Sequence, residues 1–414
     1  MSIIPNNFLI NDDRDEKKFK DTTFCNYKKR EVLATFEKSI LQDNLENSCY
    51  WCLELLISGH VQDIWNILFN IYFKYVNIIN VTIIDKLFVR YVFYLKIKRE
   101  ISNLNLRNNQ SVRNYLAEII TILCRTKKIK PLKLPKINRD HFDINILSQK
   151  FKAKKDFVKD IVRDEDPQEL NIILNEFYCN LKLKNFNDSL YWFIWSLEWD
   201  KINNKNKNKI KISIRKIKNI DKKYCNDFLW IFWEIILDHI KNLNIDFFSI
   251  NIKNLYTLFK LNYCIMPKTK LNWFIINSII LLTNTYDTKC NIIDDEKYII
   301  QTTGNINKLI LKFKNFEKSN DPLHNEKLKI LNSKIEFNNK SKEVIKKEKK
   351  KKEDKKNNSS IQKFNTLLEI DKIYINNHTK NNIDNNKMKQ NVIKNLPSKK
   401  NTPEIIKEIN SMLN

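Results

Sequence analysis

Glycine is almost missing from this chain, with only 2 among 414 residues, where average usage is about 7%. Loops that cradle phosphate groups need glycine where the backbone takes a positive φ or approaches a ligand closely. Because only Gly59 and Gly304 are present, the chain contains neither a GxxxxGKS/T loop nor a GxGxxG fingerprint. The standard nucleotide-hydrolysing and dinucleotide-binding enzymes are therefore excluded.

The apolar residues follow a helical period. Between residues 64 and 75 they recur at i, i+3, i+4, i+7, i+8 and i+11, on one face of a helix with 3.6 residues per turn. Residues 115–123 and 232–239 show similar spacing. The many isoleucines also suit strands, but tight hairpin turns favour Gly or Asn-Gly, and these signals are missing. The pattern therefore predicts an all-α fold.

Composition divides the chain into segments. Two regions rich in apolar and aromatic residues flank a basic connector, and beyond them lysine dominates. Unbroken charge blocks repel themselves and favour disorder. We predict an N-terminal extension (1–21), a first helical domain (22–130), a basic connector (131–166), a second helical domain (167–313) with a Lys/Asn-rich insertion near 201–222, a disordered basic tail (314–401) and a short amphipathic helix (402–414).

The two apolar regions resemble each other. Residues 36–56 align without a gap on residues 177–197, at an offset of 141. The identical pairs include Ser48 with Ser189, Tyr50 with Tyr191 and Trp51 with Trp192. A duplicated helical unit buries its apolar faces against its own copy. We predict two related helical bundles; the alternative is chance similarity, which the bias toward Asn, Ile and Lys inflates.

The formal net charge is +26. An AT-rich coding sequence and selection for an acidic partner both explain such a surplus, and either way it attracts polyanions at moderate salt. The predicted contacts to a nucleic-acid backbone are Arg107, Arg113, Arg125, Lys127, Lys128, Lys130, Lys152, Lys154 and Lys155. The simpler interpretation for those near the end of the predicted helix at 115–125 is that cations there stabilise the helix dipole.

The eight cysteines lie mostly within apolar segments and indicate reduced thiols in a cytosolic compartment. Cys49 and Cys52 have CxxC spacing, which suits core packing, a partial metal site or a redox pair. The aligned positions hold Leu190 and Phe193, which favours core packing. We predict no metal and no cofactor, because the five histidines form no pair at ligand or catalytic spacing.

Other features allow two interpretations each. The clustered tryptophans at 192–199 and 230–233 suit packing between helices or stacking of exposed bases. Carboxylates such as Glu54, Asp63 and Glu118 are expected at exposed helix positions, and no nucleophile–base pair is recognisable.

Thr402 and Pro403 begin a predicted terminal helix that docks on a partner or on the chain's own core. Its apolar stripe is Ile405, Ile406, Ile409, Met412 and Leu413.

Several short motifs together resemble an uncharacterised protein family of nucleocytoplasmic large DNA viruses, over roughly residues 20–300. The motifs are Thr22-Thr-Phe with Lys28-Lys-Arg-Glu-Val-Leu33, Ser48-x-Tyr-Trp51, Glu54-Leu-x-x-Ser-Gly-His60, Leu106-Arg-Asn-Asn109 and Asp166-Pro-x-Glu-Leu170. The resemblance implies a DNA virus replicating in or near cytoplasmic factories, and it implies no catalytic residue.

About a hundred residues are also similar to the helical collar of clamp-loader-related replication ATPases. The likeness lies in Lys38-Ser-Ile40, Ser48-Cys-Tyr-Trp-Cys-Leu53 with Ser58-Gly59, and Leu116-Ala-Glu-Ile-Ile-Thr-Ile-Leu123. It implies helical architecture and is compatible with oligomerisation. It does not imply ATP hydrolysis, since the ATPase core that such a collar follows is missing.

These features predict a non-enzymatic viral scaffold or adaptor that acts near DNA in replication, transcription or packaging and contacts the phosphate backbone without reading sequence. Its expected partners are nucleic acid and viral proteins. No membrane partner is expected, because no stretch reaches about 18 apolar residues and residues 1–15 lack a signal-peptide pattern. The expected location is the host cytoplasm, a viral factory or the virion. The alternatives are a virion or assembly protein and an enzyme of an unrecognised kind.

Overall fold

The computed structural model describes residues 9–12, 14, 16–205, 212–243, 246–284 and 296–318. Within these residues the chain is helical and contains no β-strand, only an isolated antiparallel bridge between Thr22 and Lys28. The predicted all-α fold is therefore confirmed. The helices are α1 (Lys29–Leu41), α2 (Leu45–Ile57), α3 (Val61–Ile71), α4 (Ile83–Glu100), α5 (Asn103–Leu106), α6 (Gln110–Arg125), α7 (Ile144–Ser148), α8 (Gln168–Lys182), α9 (Phe186–Lys205), α10 (Leu229–Lys241), α11 (Asp246–Asn262), α12 (Lys268–Thr283) and α13 (Glu296–Lys318).

The chain divides into two compact units. The larger unit, residues 14–306, contains the first predicted domain, the connector and most of the second domain. The smaller unit comprises residues 1–13 and 307–414, of which residues 9–12 and the last turns of α13 are described. The predicted boundary of the tail at 314 lies within α13, so the helix continues beyond it. The rest of the predicted tail and the terminal helix, including Ile405, Ile406, Ile409, Met412 and Leu413, lie outside the described residues.

Helix ends in this glycine-poor chain use other residues in the left-handed conformation. After α1, Asp43 takes a φ of 59°, and after α8, Lys184 takes a φ of 53°. In both places the next amide closes a six-residue loop: Asn44 N–H donates to Ser39 O, and Asn185 N–H donates to Asn180 O, each over 2.9 Å. These are Schellman caps. Gly59, with a φ of 81°, serves the same purpose after α2.

The α1–α2 hairpin and the α8–α9 hairpin make the same local hydrogen bonds at positions 141 residues apart. The side chain of Asn44 accepts the N–H of Asn47 over 3.1 Å, and that of Asn185 accepts the N–H of Asp188 over 3.3 Å. The two asparagines therefore cap α2 and α9. The hydroxyls of Ser48 and Ser189 then donate to the carbonyls of the same two asparagines, at 2.7 and 2.8 Å. The aligned sequences therefore specify the same turn between two antiparallel helices.

Helix packing is similar in the two halves of the larger unit. The α1–α2 hairpin packs on α6, and the α8–α9 hairpin packs on α12. In the same way α4 packs on α6, and α11 packs on α12. We call the helices α1–α6 the first bundle and α8–α12 the second bundle. Aromatic side chains lie at the centre of each: the ring centroids of Trp65 and Tyr91 are 5.1 Å apart in the first, and those of Trp233 and Phe259 are 5.4 Å apart in the second. Aromatic residues thus pack in both bundles, and Phe274 contacts both Phe69 and Phe259, so the two aromatic clusters are continuous.

The bundles join through α4 and α11 and through the π-helical turn Tyr72–Val76 against α12. Phe274 is fully buried there and makes an edge contact with Phe73 at 4.7 Å between ring centroids. Tyr91 donates its hydroxyl to Asn262 Oδ1 over 2.7 Å, and Asn77 Nδ2 donates to Asn277 Oδ1. Because these polar groups are buried, separating the bundles would expose apolar surface and break paired hydrogen bonds together.

Removing Phe274 is therefore expected to destabilise both bundles at once. We expect Phe274→Ala to lower the free energy of unfolding by about 3–5 kcal/mol, with hydrogen exchange rising equally in peptides from α3–α4 and from α10–α12. The measurement is urea unfolding followed by amide exchange and mass spectrometry. Ile172→Ala, at a position 47% exposed on α8, is the control and is expected to have little effect. Separate unfolding transitions of the two bundles would contradict this prediction.

Candidate nucleic-acid interface

Residues 150–159, which we call the lysine segment, lie against α8. Glu176 Oε2 accepts the N–H of Lys152 over 2.8 Å, and its Oε1 accepts the N–H of Ala153 over 2.9 Å. Asn175 Oδ1 accepts the N–H of Phe157 over 2.7 Å, while its Nδ2 donates to Lys155 O over 3.0 Å. Two helix side chains thus hold the backbone of the lysine segment at both ends.

Apolar contacts complete this attachment. Val158 is fully buried, and the ring of Phe151 lies 6.0 Å from that of Trp192 on α9. The ring of Phe157 lies 6.1 Å from that of Tyr178 on α8. Further upstream, Trp195 Nε1 donates to His141 O over 2.8 Å. The connector is therefore part of the second bundle's surface, with a defined backbone position.

Lysines project from this attached segment to solvent. Within ten residues it carries five lysines and one aspartate. The five are exposed, as are two lysines at the end of α8. The set is Lys150, Lys152, Lys154, Lys155, Lys159, Lys182 and Lys184.

Several carboxylates beside these lysines are already engaged. Glu176 accepts the two backbone N–H groups described above, and Asp156 accepts the N–H of Val158 over 3.0 Å. Asp238 accepts the hydroxyl of Tyr178 over 2.5 Å, and Asp188 pairs with Lys152. The seven exposed lysines outnumber these four carboxylates, so the group carries a net positive charge.

A histidine is buried beside Tyr178, close to the end of α8. His239, on α10, is 6% exposed and lies 5.9 Å from the ring of Tyr178. Burial lowers the pKa of His239 to about 4, and the charges of Lys182 and Lys184 contribute in the same direction against the opposing effect of Asp238. His239 is therefore neutral near pH 7.

The predicted basic residues at the end of α6 are placed separately, in the first bundle. Lys127 and Lys130 are exposed. Lys128 pairs with Asp43 and donates to Cys124 O over 2.6 Å, and burial lowers its pKa to about 8. The guanidinium of Arg125 lies 4.6 Å from the ring centroid of Tyr298. Two members of this group are thus engaged in contacts within the fold.

Arg107 and Arg113 do not lie on the surface. Each is 2% exposed. Arg107 Nη2 donates to Arg14 O over 2.6 Å, and Arg113 Nη1 donates to Asn108 O over 2.9 Å. Burial lowers the pKa of Arg113 to about 10. The expectation that these two guanidiniums contact phosphate is therefore corrected: they satisfy backbone carbonyls inside the first bundle.

The expectation that Glu54 and Glu118 are exposed is wrong, whereas Asp63 is half-buried. Glu118 is 4% exposed and receives two hydrogen bonds from Arg90, at 2.5 and 3.1 Å. Glu54 is fully buried and accepts the N–H of Cys25 over 2.7 Å, and burial raises its pKa. The burial of Glu54 could have been predicted from the sequence, because Glu54 lies within the apolar run Leu53–Ile57 and a helix that is apolar on every side has no solvent-facing side.

The motif Glu54-Leu-x-x-Ser-Gly-His60 acquires a structural explanation at the same place. Ser58 Oγ accepts the N–H of Phe24 over 2.8 Å. His60 Nε2 lies 2.8 Å from Phe19 O. Together with Glu54 these side chains attach residues 19–25 to the end of α2, so the motif positions the chain ahead of α1.

The cysteines and tryptophans with alternative interpretations belong to the core. Cys49 and Cys52 are 3% and 0% exposed, and burial raises the pKa of both thiols. Trp192, Trp195, Trp230 and Trp233 are also buried, while Trp199 is half-buried. The expectation of core packing is confirmed for the buried residues. The described cysteines are free thiols.

The described residues hold no group of three or more His, Cys, Asp or Glu side chains arranged to bind a metal ion. Their helices are too short or too polar to cross a membrane. Comparisons with protein-family models, with curated proteins and with solved structures find no match to this chain.

Glu176 is expected to hold the lysine segment in place. Replacing it with Ala removes both acceptors, so we expect amide exchange at Lys152 and Ala153 to rise at least tenfold in Glu176→Ala, consistent with about 1.5–3 kcal/mol for hydrogen bonds to a charged group. Glu169→Ala, at an exposed position on the first turn of α8, is the matched control. Unchanged exchange at both amides in Glu176→Ala would show that other contacts hold the segment.

The neutral state of His239 makes the fold sensitive to acid. Since the pKa is about 4 in the folded protein and near 6.5 when unfolded, the unfolded chain binds more protons in this interval. Stability from His239 is complete above about pH 6.5 and is lost as pH falls toward 4. We expect acidification from about pH 7 to about pH 5 to cost the wild type about 1–2 kcal/mol more than His239→Gln. Urea unfolding at both pH values measures this difference, and equal losses would contradict the assignment.

Proposed function

We propose that this chain is a non-enzymatic viral helical scaffold or adaptor acting near DNA, in replication, transcription or genome packaging. In this proposal the exposed lysines of the lysine segment and of the end of α8 contact the nucleic-acid backbone without reading its sequence. Phosphate contacts by lysine supply affinity and register, and they carry no direct sequence information.

The observation that supports the proposal is the fixed placement of seven exposed lysines. Glu176 and Asn175 hold the backbone of the lysine segment, so its ammonium groups project from a defined surface. Lys182 ends α8 and Lys184 follows it in the turn before α9, so two stretches of the chain contribute lysines to this surface. A polyanion gains most from charges gathered in this way, since each neutralised phosphate releases condensed counterions.

The viral setting within this proposal comes from the sequence resemblance to the family of large DNA viruses, through motifs such as Glu54-Leu-x-x-Ser-Gly-His60 and Asp166-Pro-x-Glu-Leu170. Both motifs contain a carboxylate that is buried and holds another stretch of backbone. They therefore concern the scaffold, and the proposal assigns the nucleic-acid contacts to other residues.

We further propose that the two bundles are copies of one ancestral helical unit. The shared offset of 141 between the hairpins supports this origin, since each has a capping asparagine preceded by a residue in the left-handed conformation, Asp43 in one and Lys184 in the other. The matched packing of α4 on α6 and of α11 on α12 supports it as well. The lysine segment precedes only the second hairpin, so the proposed interface belongs to one copy.

The proposal predicts binding to duplex DNA of any sequence, weakening steeply between about 50 and about 200 mM salt. We compare two triple variants of the full chain that lose the same charge. Lys154→Gln, Lys155→Gln and Lys182→Gln alter the proposed interface, whereas Lys96→Gln, Lys98→Gln and Lys253→Gln alter exposed positions on α4 and α11. Fluorescence anisotropy measures the dissociation constant across the salt series.

We expect the interface variant to bind more weakly than the control variant and to show a shallower salt dependence. Each lost phosphate contact reduces the slope of log K against log salt by about 0.9. Protection of these lysines from acetylation by bound DNA, read by mass spectrometry, locates the contact within the full chain. Equal effects of the two triple variants, or binding that is indifferent to salt, would refute the proposed interface.

A further inference from the structure

Phe157 is half-buried, as is Phe151 near the other end of the lysine segment. Tyr178 and Trp192, which lie beneath the lysine segment, are 1% and 0% exposed. Phe157 thus presents part of an aromatic surface at the centre of the lysines described above. An exposed aromatic ring within a basic surface is the combination by which proteins bind single-stranded nucleic acid.

The ring is held in a defined position. The backbone N–H of Phe157 donates to Asn175 Oδ1 over 2.7 Å, and the next residue, Val158, is fully buried. The Tyr178 ring contacts the Phe157 ring from α8 at 6.1 Å between centroids. A ring fixed in this way offers a stacking surface with little further loss of conformational entropy on binding.

Two ammonium groups lie on this aromatic surface. Lys155 Nζ lies 5.1 Å from the Phe157 ring centroid, and Lys182 Nζ lies 4.8 Å from it. Lys182 Nζ also lies 4.3 Å from the ring centroid of Tyr178. Lysine has a long flexible stem and three donors, so it can exchange a cation–π contact for a phosphate without backbone movement.

We propose that Phe157 is a stacking platform for one base of a single-stranded nucleic acid, with Lys155 and Lys182 on the adjoining phosphates. This inference rests on the proposed function and adds to it a site for an unpaired base. A paired base in a duplex is covered on both faces by its neighbours, whereas an unpaired base can be splayed onto an aromatic side chain. The lysines bind the phosphates of single-stranded and duplex nucleic acid alike, and only stacking on the Phe157 ring distinguishes the two.

The test compares Phe157→Leu with Phe157→Tyr in the full chain. Leucine keeps an apolar side chain but removes the aromatic face, and tyrosine keeps the face. We measure affinity by fluorescence anisotropy for a single-stranded oligonucleotide of about 20 nucleotides and for its duplex. Phe93→Leu is the control, because Phe93 is also half-buried but lies on α4 against Tyr115.

We expect Phe157→Leu to weaken single-strand binding about tenfold and to leave duplex binding within about twofold, while Phe157→Tyr and Phe93→Leu bind both ligands as the wild type does. Equal weakening for both ligands, or unchanged single-strand binding, would overturn the stacking role. If the Lys154, Lys155 and Lys182 triple variant weakens both ligands while Phe157→Leu weakens neither, only the stacking inference fails. If the triple variant matches its control, the proposed function fails with it.

Discussion

Buried carboxylates that accept backbone N–H groups hold the extended stretches of this protein on its helices. Glu54 accepts the amide of Cys25, Glu176 accepts those of Lys152 and Ala153, and Asp166 accepts those of Arg163 and Ser213. Burial raises the pKa of Asp166, but these amides and the charge of Arg215 outweigh it and hold the pKa below its ordinary value. Such a carboxylate satisfies backbone donors that a helix-free stretch would otherwise bury unpaired. The helices supply the core, and these side chains decide where the irregular stretches lie upon it.

The scarcity of glycine has consequences for the ends of the helices. Helix ends commonly use glycine in the left-handed conformation, because other residues meet a steric penalty there. In this chain Asp43 and Lys184 take that place, and the penalty is offset by the paired caps that follow at Asn44 and Asn185. The turn is therefore specified by the capping asparagines and by the helices on either side, and less by an intrinsically permissive residue.

The sequence was sufficient for the helices and insufficient for the long-range contacts. The stripe from Ile64 to Tyr72 is buried as its period predicted, since helical periodicity is a local property of the chain. Lys152, Lys154 and Lys155 were recognisable as a basic cluster, but their proximity to Lys182 depends on how the connector lies on α8. The surface position expected for Arg107 and Arg113 is wrong for a related reason. The sequence around an arginine does not show that its guanidinium will donate a hydrogen bond to a distant carbonyl inside the core, as Arg107 does to Arg14 O.

Placement also bears on the origin of the positive charge, which composition alone leaves open. A coding bias toward lysine adds positive charges without regard to the fold. Most lysines added in this way would be solvated and independent of one another. In the lysine segment, by contrast, Glu176 and Asn175 hold the backbone in place, so the exposed ammonium groups are kept near one another. Like charges kept together in this way repel one another and oppose folding unless the fold compensates. The burial of Val158 and the ring contact of Phe151 with Trp192 contribute to that compensation, so these lysines are not independent of one another in the fold, as charges added by coding bias alone would be.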